Sequence, residues 1–472
     1  MRKYFGTDGI RRIANTELSP ELVYKVAKAG AYVLSKHTNH TPTILIGRDT
    51  RLSGSLIESA MVSGFLSYGA NVKLLGVIPT PAVAYLTRKL NADASVVISA
   101  SHNTYEFNGI KYFSNKGMKI SDFLEEEIEE VMESGKLGDL TAVNDKIGIS
   151  DYCLDLIDEY VYFFRKRFDD DIEELLRDRD DFIVGIDTAN GATYDVAEKV
   201  FKSLGIKYKI INNTPNGTNI NENCGSTHLE GLKKFVVENK LSLGIAYDGD
   251  GDRCLAIDEN GDEIDGDKLL AIISRSLRKK NRLNKDTIVA TVMSNLGLNK
   301  YSKENNLQFI QTKVGDRYVL EEMLKNGYNL GGEQSGHIIM LDYNPTGDGI
   351  LTSLMLIKSI LEENKKASEL NKLVKKYPQI LINAKVNSDK KYDYENDVEI
   401  KENIAKLEKE FDGNGRVLIR PSGTEPLVRV MIEGENQEYI TEKAKQIANL
   451  IEKNLNKKIW IVTIKQQSLF NN

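Results

Sequence analysis

Short apolar runs alternate with amphipathic stretches along almost the whole chain, and this alternation limits the possible folds more than any other feature. It is typical of α/β domains, in which helices connect buried, largely parallel strands. A buried strand, a turn of small residues and a helix recur in that order from Thr41, Asp181 and Asp286. Chance similarity between βα units is the alternative, but the recurrence favours three related α/β domains with mixed sheets.

The length of the chain also requires several domains. At roughly 100–200 residues per domain, three or four domains are expected for 472 residues. We place the domains at residues 1–160, 161–260, 261–380 and 381–472. The first boundary follows from a helical run, Tyr152 to Arg167, which is expected to end at the acidic residues 169–171.

The last of these domains has a different pattern and predicts a smaller α+β unit. Its expected elements are a helix at 404–411, strands at 416–420 and 427–432, a long helix, and a last strand at 460–464.

Composition excludes several classes of protein. The net charge is −6 and the pI is near 5.7, whereas nucleic-acid-binding proteins usually carry a basic face. No apolar run approaches the roughly 18–20 residues of a membrane helix, so no membrane association is expected. The three cysteines are far apart and odd in number, which argues against a zinc site or a disulfide framework. Because no disulfide framework is predicted, we expect the protein to lie in a reducing cytoplasm.

The first cluster of chemically active residues follows the apolar strand ASVVIS. It contains Ser99, Ser101 and His102, with Lys111 a short distance beyond. Side chains at the carboxyl end of such a strand lie where ligand sites form in α/β domains. A serine nucleophile needs a base or a positive site, and His102 and Lys111 are the nearby candidates. The alternative is a turn whose polar side chains cap backbone groups.

The second cluster is Asp248, Asp250 and Asp252, separated by glycines and followed by Arg253. Three carboxylates this close together require a cation, and ligation by oxygen alone suits Mg²⁺ or Ca²⁺. An EF-hand is excluded because Arg253 occupies the position at which that loop needs glycine. A solvated acidic turn is the alternative.

The third cluster is a glycine-rich loop at 331–337 that contains Glu333, Ser335 and His337. Carboxylate, hydroxyl and imidazole groups together supply the donors and acceptors that sugar hydroxyls need. An ordinary turn before the next strand is the alternative.

The fourth cluster is the segment RPSGTEP from Arg420, with Arg429 beyond it. Arginine, hydroxyls and free backbone N–H groups in a tight loop can bind an anion such as phosphate. A Pro/Gly turn between strands is the alternative. The pair Asp316–Arg317, in contrast, is interpreted as solvated surface charge.

Taken in this order, the four clusters resemble the motifs of the α-D-phosphohexomutase superfamily. The resemblance extends from FGTDGIR near the start of the chain to RPSGTEP near its end. It implies three related α/β domains and a C-terminal domain around a central cleft. It also implies an intramolecular phosphotransferase that binds a small sugar phosphate and one Mg²⁺ per chain. A homodimer is left open.

The resemblance carries over to individual residues. Ser101 would be the phosphoserine, and it would bind Mg²⁺ together with Asp248, Asp250 and Asp252. Sugar hydroxyls would be held by Glu333 and Ser335. The phosphate that is not being transferred would be bound by Arg420, Ser422, Gly423, Thr424 and Arg429. The reacting centre would be lined by Arg11, His102, Lys111, Arg253 and His337, with Lys111 or His337 as general base.

Three details indicate the subgroup that acts on glucosamine phosphates. These are the N-terminal FGTDGIR, Gln334 in the sugar loop where relatives usually carry Met, and the segment from Asn219 to His228. The expected reaction interconverts glucosamine-6-phosphate and glucosamine-1-phosphate through the 1,6-bisphosphate, and would feed UDP-N-acetylglucosamine synthesis. Glucose or mannose phosphates are the alternative substrates. A phosphatase and a non-catalytic sugar-phosphate binder are more distant alternatives.

The chain departs from the superfamily pattern at three positions. Arg12 stands where relatives have Gly, Thr104 replaces the Pro after SHN, and Phe107 replaces the Asp before Asn-Gly. These departures leave the shape of the Ser101 loop open.

Overall fold

A computed structural model describes residues 3–6, 8–422 and 425–456. They form two compact units. The first comprises residues up to 294 together with 298–374, and the second comprises 295–297 together with residues from 375 onward. No helix of the described residues is long and apolar enough to cross a bilayer.

The first sheet of the larger unit has six strands. They are β1 (Ile10–Ile13), β2 (Thr43–Arg48), β3 (Asn71–Val77), β4 (Ala94–Ile98), β5 (Phe107–Ser114) and β6 (Ser150–Tyr152). The accompanying helices are α1 (Pro20–Ser35), α2 (Gly54–Tyr68), α3 (Thr80–Lys89) and α4 (Asp122–Glu133). The spatial order is β1-β5-β4-β2-β3-β6, in which β5 is antiparallel to both of its neighbours and the other pairs are parallel.

Helix α5 (Ile157–Leu176) leads into the second sheet. The strands there are β7 (Ile183–Asp187), β8 (Lys207–Ile211), β9 (Leu243–Tyr247), β10 (Cys254–Asp258) and β11 (Glu263–Ile264), in the order β11-β10-β9-β7-β8. Helices α6 (Val196–Ser203) and α7 (Glu230–Glu238) connect them. The β9–β10 and β10–β11 pairs are antiparallel, whereas β7 is parallel to β8 and β9.

The third sheet has the order β13-β12-β14-β15-β16. Its strands are β12 (Thr287–Thr291), β13 (Gln308–Thr312), β14 (Leu330–Gly332), β15 (Ile338–Met340) and β16 (Asn344–Gly347). Its helices are α8 (Gly266–Lys279), α9 (Leu296–Glu304), α10 (Asp316–Asn326), α11 (Gly349–Glu363) and α12 (Ala367–Asn371). All three sheets are therefore mixed, as predicted.

The second unit contains an antiparallel sheet in the order β17-β19-β18. Its elements are β17 (Gln379–Lys385), α13 (Val398–Phe411), β18 (Gly415–Pro421), β19 (Leu427–Gly434) and α14 (Gln437–Leu455). Single-turn 3₁₀ helices lie in connecting segments of the chain at Lys136–Gly138, Asn144–Lys146, Leu154–Leu156, Gly225–Thr227, Asn284–Asp286 and Asp393–Glu395. The predicted class, three α/β domains plus a smaller α+β domain, is confirmed.

Two details of the sequence analysis need correction. The acidic residues after Arg167 do not end a helix, because α5 begins at Ile157 and continues to Leu176. The predicted helix at 404–411 begins earlier, at Val398, where Asp397 caps it by accepting a hydrogen bond from the Ile400 N–H. The strand predicted at 460–464 lies outside the described residues. The four domain boundaries stay predictions.

Helix α5 presents a buried aromatic face to the core of the larger unit. Tyr160, Phe163, Phe164 and Phe168 pack there with side chains from all three sheets and their helices. The Tyr160 hydroxyl donates to both carboxylate oxygens of Asp348, at 2.8 Å each. Asp348 also caps helix α11 by accepting from the Leu351 N–H at 3.0 Å. One carboxylate therefore fixes the start of α11 and its contact with α5.

Replacing Tyr160 by Phe removes one donor from a buried carboxylate while keeping the aromatic ring. The Tyr160→Phe variant should lose about 1–2 kcal/mol of stability, seen as a fall of a few degrees in the calorimetric Tm. Tyr162→Phe is the matched control, because Tyr162 lies on the same helix and is 56% exposed. Equal Tm values for both variants would contradict this account.

Candidate active site

The Ser101 loop begins where strand β4 ends and is held in an unusual backbone conformation. Ser101 has φ 51° and is 2% exposed. Its N–H donates to Ser99 Oγ at 2.9 Å, and Ser99 Oγ donates to Asp49 Oδ2 at 2.5 Å. Its carbonyl accepts from Arg51 Nη2 at 3.1 Å and from Asn221 Nδ2 at 2.9 Å. Contacts from two domains thus hold a serine in the left-handed region, which side chains rarely adopt.

The three aspartates lie in the turn between β9 and β10. All three are buried, and they offer oxygens that lie within 4.8 Å of one another. Asp248 Oδ2 accepts a hydrogen bond from Ser101 Oγ at 2.8 Å, so the serine loop of one domain meets the acidic turn of the next. The pKa of Asp248 is raised well above its usual value. Burial is the largest cause, and the negative charges of Asp252 and Asp250 add to it.

This acidic turn fits a divalent cation. Asp250 Oδ1 and Asp252 Oδ1 are buried and have no hydrogen-bond partner among the described residues. An unpartnered buried carboxylate oxygen is costly, and a cation bound by three such groups would remove that cost. Oxygen ligands alone suit Mg²⁺. Asp248, Asp250, Asp252 and the Ser101 side chain are therefore the residues that would hold it.

Main-chain hydrogen bonds hold the acidic turn in place from several sides. Thr80 N–H donates to the Asp250 carbonyl at 2.9 Å, and Ala192 N–H donates to the Gly249 carbonyl at 2.8 Å. Gly349 N–H donates to the Gly251 carbonyl at 3.0 Å. Gly249 also lies so close to the serine loop that a Cβ there would be 2.5 Å from the Ser101 carbonyl oxygen. This close approach is the reason for glycine at position 249.

Two lysines connect the acidic turn to further carboxylates. Lys111 Nζ lies 2.9 Å from Asp250 Oδ2 and 3.1 Å from Asp8 Oδ2. Lys119 Nζ lies 2.5 Å from Asp8 Oδ1 and 2.6 Å from Asp316 Oδ2. Burial alone would raise the pKa of Asp250, but the charge and hydrogen bond of Lys111 hold that pKa below its usual value.

His337 lies between the second and third domains and is buried. Its Nδ1 is 3.5 Å from Asp252 Oδ2, and its Nε2 is 3.5 Å from Asp316 Oδ2. The Gly347 N–H donates to Nε2 at 3.0 Å, which places the ring proton on Nδ1 in this arrangement.

His102 and two arginines lie around the serine hydroxyl. His102 Nδ1 is 3.4 Å from Ser101 Oγ. Burial, with the charges of Arg253 and Arg11, lowers the pKa of His102 to about 4. Arg11 Nη2 donates to Asp8 Oδ2 at 2.8 Å, and Arg253 Nε lies 3.9 Å from Asp252 Oδ1. The cluster is therefore rich in positive charge around a neutral imidazole.

The sugar loop follows β14 and is joined to the second domain. Gly336 accepts from the Cys254 N–H at 3.0 Å, next to the acidic turn. Glu333 Oε1 accepts from the Gly315 N–H at 3.1 Å, and Ser335 Oγ donates to Glu333 Oε2 at 3.4 Å. Both side chains are partly exposed, so they can exchange these bonds for bonds to a ligand.

The phosphate loop belongs to the second unit. Arg420 on β18 lies directly opposite Arg429 on β19, and burial with the charge of Arg429 lowers the pKa of Arg420. Arg429 Nη2 lies 3.2 Å from Glu425 Oε2, while its buried Nε has no partner among the described residues. Ser422 Oγ accepts from the Glu425 N–H at 3.2 Å. Two facing guanidinium groups suit an anion. Gly423 and Thr424 lie outside the described residues.

Family models match nearly the whole chain. The models for α/β/α domains I, II and III of phosphoglucomutase/phosphomannomutase match residues 2–139, 158–261 and 265–377, and that for the C-terminal domain matches 381–450. The chain belongs to the phosphoglucomutase/phosphomannomutase family. The family predicted from the sequence motifs is thus confirmed.

Individual members of the family are similar to the chain over almost its whole length. A phosphoglucosamine mutase of Ruminiclostridium cellulolyticum is 52% identical over 452 residues, covering 96% of this chain and 99% of the relative. The solved phosphoglucomutase/phosphomannomutase family protein of Burkholderia thailandensis has a TM-score of 0.76 at 21% identity, covering 96% and 98% of the two chains. An Aspergillus fumigatus N-acetylphosphoglucosamine mutase, solved with GlcNAc-6P and magnesium, has a TM-score of 0.63 at 17% identity and covers 96% of both chains. These two solved structures show a shared fold.

Several residues of this family site were missed by the sequence analysis. The residues that were not assigned to the site from the sequence are Asp8, Asp49, Arg51, Thr80, Lys119, Asn221 and Asp316. Asp316 was interpreted as solvated, but its side chain is 19% exposed and it bonds Lys119. Asp8 could have been found, because it lies inside the FGTDGIR motif. The Phe107 carbonyl accepts from Arg51 Nε at 2.8 Å, and this main-chain contact with the loop does not depend on the side chain at that position.

Asp250→Asn tests whether the acidic turn binds a cation. Removing one of three charges should raise the Kd for Mg²⁺ by about tenfold or more in isothermal titration calorimetry. Asp262→Asn, an exposed carboxylate in the turn after β10, is the control and should bind as the parent does. Unchanged Mg²⁺ affinity in Asp250→Asn would show that the turn is not the metal site.

Proposed function

We propose that the chain interconverts glucosamine-6-phosphate and glucosamine-1-phosphate, as a Mg²⁺-dependent mutase with a phosphate carried on Ser101. The single observation that carries this proposal is the 2.8 Å contact between Ser101 Oγ and Asp248 Oδ2. A hydroxyl beside a cation site, with arginines and a lysine around it, suits transfer of a phosphoryl group. The relatives that are 52% identical are named phosphoglucosamine mutases, which supports glucosamine as the sugar.

The reaction divides into two transfers in opposite directions. In the first, the bond between phosphorus and Ser101 Oγ breaks while a bond to the sugar O1 forms, giving the 1,6-bisphosphate. In the second, the bond between phosphorus and the sugar O6 breaks, and Ser101 Oγ takes that phosphoryl group. The 1-phosphate then leaves, and the serine is again phosphorylated.

The residues around Ser101 stabilise charge rather than form bonds. The transferring group spreads negative charge over its oxygens, and Arg11, Arg253 and Lys111 are the cations that we propose to stabilise it. A bound Mg²⁺ would supply further positive charge to those oxygens. The main-chain and Asn221 contacts hold Ser101 in place, so little reorganisation is needed as charge develops.

The sequence analysis named Lys111 and His337 as candidates for the general base. We assign neither of them as the base. Lys111 Nζ already contacts Asp250 and Asp8, and His337 Nε2 already accepts from the Gly347 N–H. His102 Nδ1 lies 3.4 Å from Ser101 Oγ, so its imidazole can carry a proton from the attacking sugar hydroxyl to this serine oxygen in the first transfer, and from the serine to the sugar O6 in the second.

The bisphosphate must turn around between the two transfers, so the sugar contacts must serve both orientations. Glu333 and Ser335 fit this need because each can bond more than one hydroxyl. Arg420, Ser422 and Arg429 would bind the phosphate that is not reacting, together with Gly423 and Thr424. These assignments are proposals carried from the family resemblance and supported by the facing arginines.

Ser101→Ala should abolish the mutase reaction, lowering kcat by more than about 10³-fold because the nucleophile is lost. The assay couples product formation from glucosamine-6-phosphate, with glucose-1-phosphate as the competing substrate. Ser55→Ala, at an exposed position on helix α2, is the control. Near-normal turnover in Ser101→Ala would refute the proposed function, and a higher kcat/KM on glucose-1-phosphate would refute glucosamine as the substrate.

Arg420→Ala should raise KM about fivefold to a hundredfold, about 1–3 kcal/mol of binding, while kcat changes much less, because a phosphate contact present throughout the reaction is removed. Steady-state kinetics measure both parameters. Lys409→Ala, an exposed cation on helix α13, is the control. A fall in kcat at unchanged KM would place Arg420 at the reacting phosphate instead.

A further inference from the structure

A closed circuit of oppositely charged side chains, completed by the imidazole of His337, lies beside the acidic turn and joins the three α/β domains. Each member lies within 3.9 Å of the next. We call it the charge ring, and its members in order are Lys111, Asp8, Lys119, Asp316, His337 and Asp252. The proposed mechanism gives direct roles to Lys111 and Asp252 and none to the opposite side of the ring.

Lys119 and Asp316 lie on the side of the ring opposite those direct roles, and Lys119 has the shortest ion pairs of the ring. Its Nζ lies 2.5 Å from Asp8 and 2.6 Å from Asp316, and its side chain is 12% exposed. It contacts neither Ser101 nor any of the three aspartates of the acidic turn among the contacts of the described residues. Its ammonium separates two carboxylates that would otherwise face each other across a mostly buried space.

The neighbours of Lys119 connect it to the reacting centre. Asp8 uses one oxygen for Lys119 and the other for Lys111 and Arg11. Without Lys119, Asp316 would repel Asp8, and Asp8 would shift towards its remaining cations. The Lys111 ammonium, which lies between Asp8 and Asp250, would then change its position relative to these two carboxylates.

We propose that Lys119 is a positioning residue for phosphoryl transfer, acting through Asp8 to hold Lys111 and Arg11 at the reacting centre. This inference rests on the proposed function. Because the contacts of Lys119 among the described residues of the larger unit include neither Glu333 nor Ser335, its loss affects the transfer step and leaves substrate binding largely intact. Transfer rates are sensitive to small displacements of positioned charges.

The test replaces Lys119 by methionine, which has similar bulk and no charge. Lys119→Met should lower kcat by about tenfold to a hundredfold, with KM for glucosamine-6-phosphate unchanged within about twofold. Lys116→Met is the matched control, because Lys116 is exposed and lies three residues earlier in the same hairpin. A normal kcat in Lys119→Met, or a raised KM at normal kcat, would overturn the proposal.

Two rescue variants separate positioning from a general loss of structure. Lys119→Arg should recover much of the lost kcat because it restores the charge between the two carboxylates. Adding Asp316→Asn to Lys119→Met should also recover part of kcat, because it removes the repulsion on Asp8. If the double variant lowers kcat by the product of the two single-variant factors, the two effects are independent and the proposal is overturned.

If Lys119→Met does not fold, as judged by circular dichroism, Asp316→Asn alone provides the test. It should lower kcat at unchanged KM, and a normal kcat would overturn the inference. The parent protein and Ser101→Ala are assayed in parallel. An inactive parent or an active Ser101→Ala variant would refute the proposed function, whereas an active parent beside a fully active Lys119→Met would refute this inference alone.

Discussion

Three carboxylates buried in one tight turn repel one another, and the rest of the site is arranged around that constraint. Burial disfavours each charge, and the proximity of the other two disfavours it further. The ammonium of Lys111 compensates the charge of Asp250. Asp248 accepts hydrogen bonds from the Ser101 hydroxyl and from the Arg253 N–H. Asp250 Oδ1 and Asp252 Oδ1 are left without a hydrogen-bond partner among the described residues. The negative charge of the turn is therefore balanced only when cations from the other domains and from solution lie beside it. This requirement explains why the reactive serine and the lysines converge on it.

The fold was largely predictable because its information is local. A buried strand, a small-residue turn and a helix can each be recognised within about a dozen residues, and three copies sufficed to indicate three mixed α/β domains. The end of helix α5 was not predictable in this way. Acidic residues on an exposed helix face do not interrupt the backbone hydrogen bonds, so the helix continues to Leu176.

The site was predictable only where its residues form compact motifs. Ser101 and the acidic turn stood out because several polar residues are adjacent in the sequence. Lys119 did not, since its partner Asp8 is 111 positions away and its partner Asp316 is 197 positions away. A charge at a helix start, such as Asp316, looks solvated until the domain that covers it is known. Sequence spacing carries no information about such pairs, which form when distant parts of one domain fold together, as for Asp8, or when two domains pack, as for Asp316.

The acidic turn is fastened mainly through backbone atoms. Thr80, Ala192 and Gly349 each donate an N–H to one of its carbonyls, and no side-chain atom takes part in these bonds. Side chains around the turn can therefore change without removing these bonds, except at Gly249 and Gly349, where a Cβ would lie 2.5 Å and 2.6 Å from a neighbouring carbonyl oxygen. Side chains in the loops of the third domain and the second unit can consequently change while the main-chain anchorage of the acidic turn stays constant.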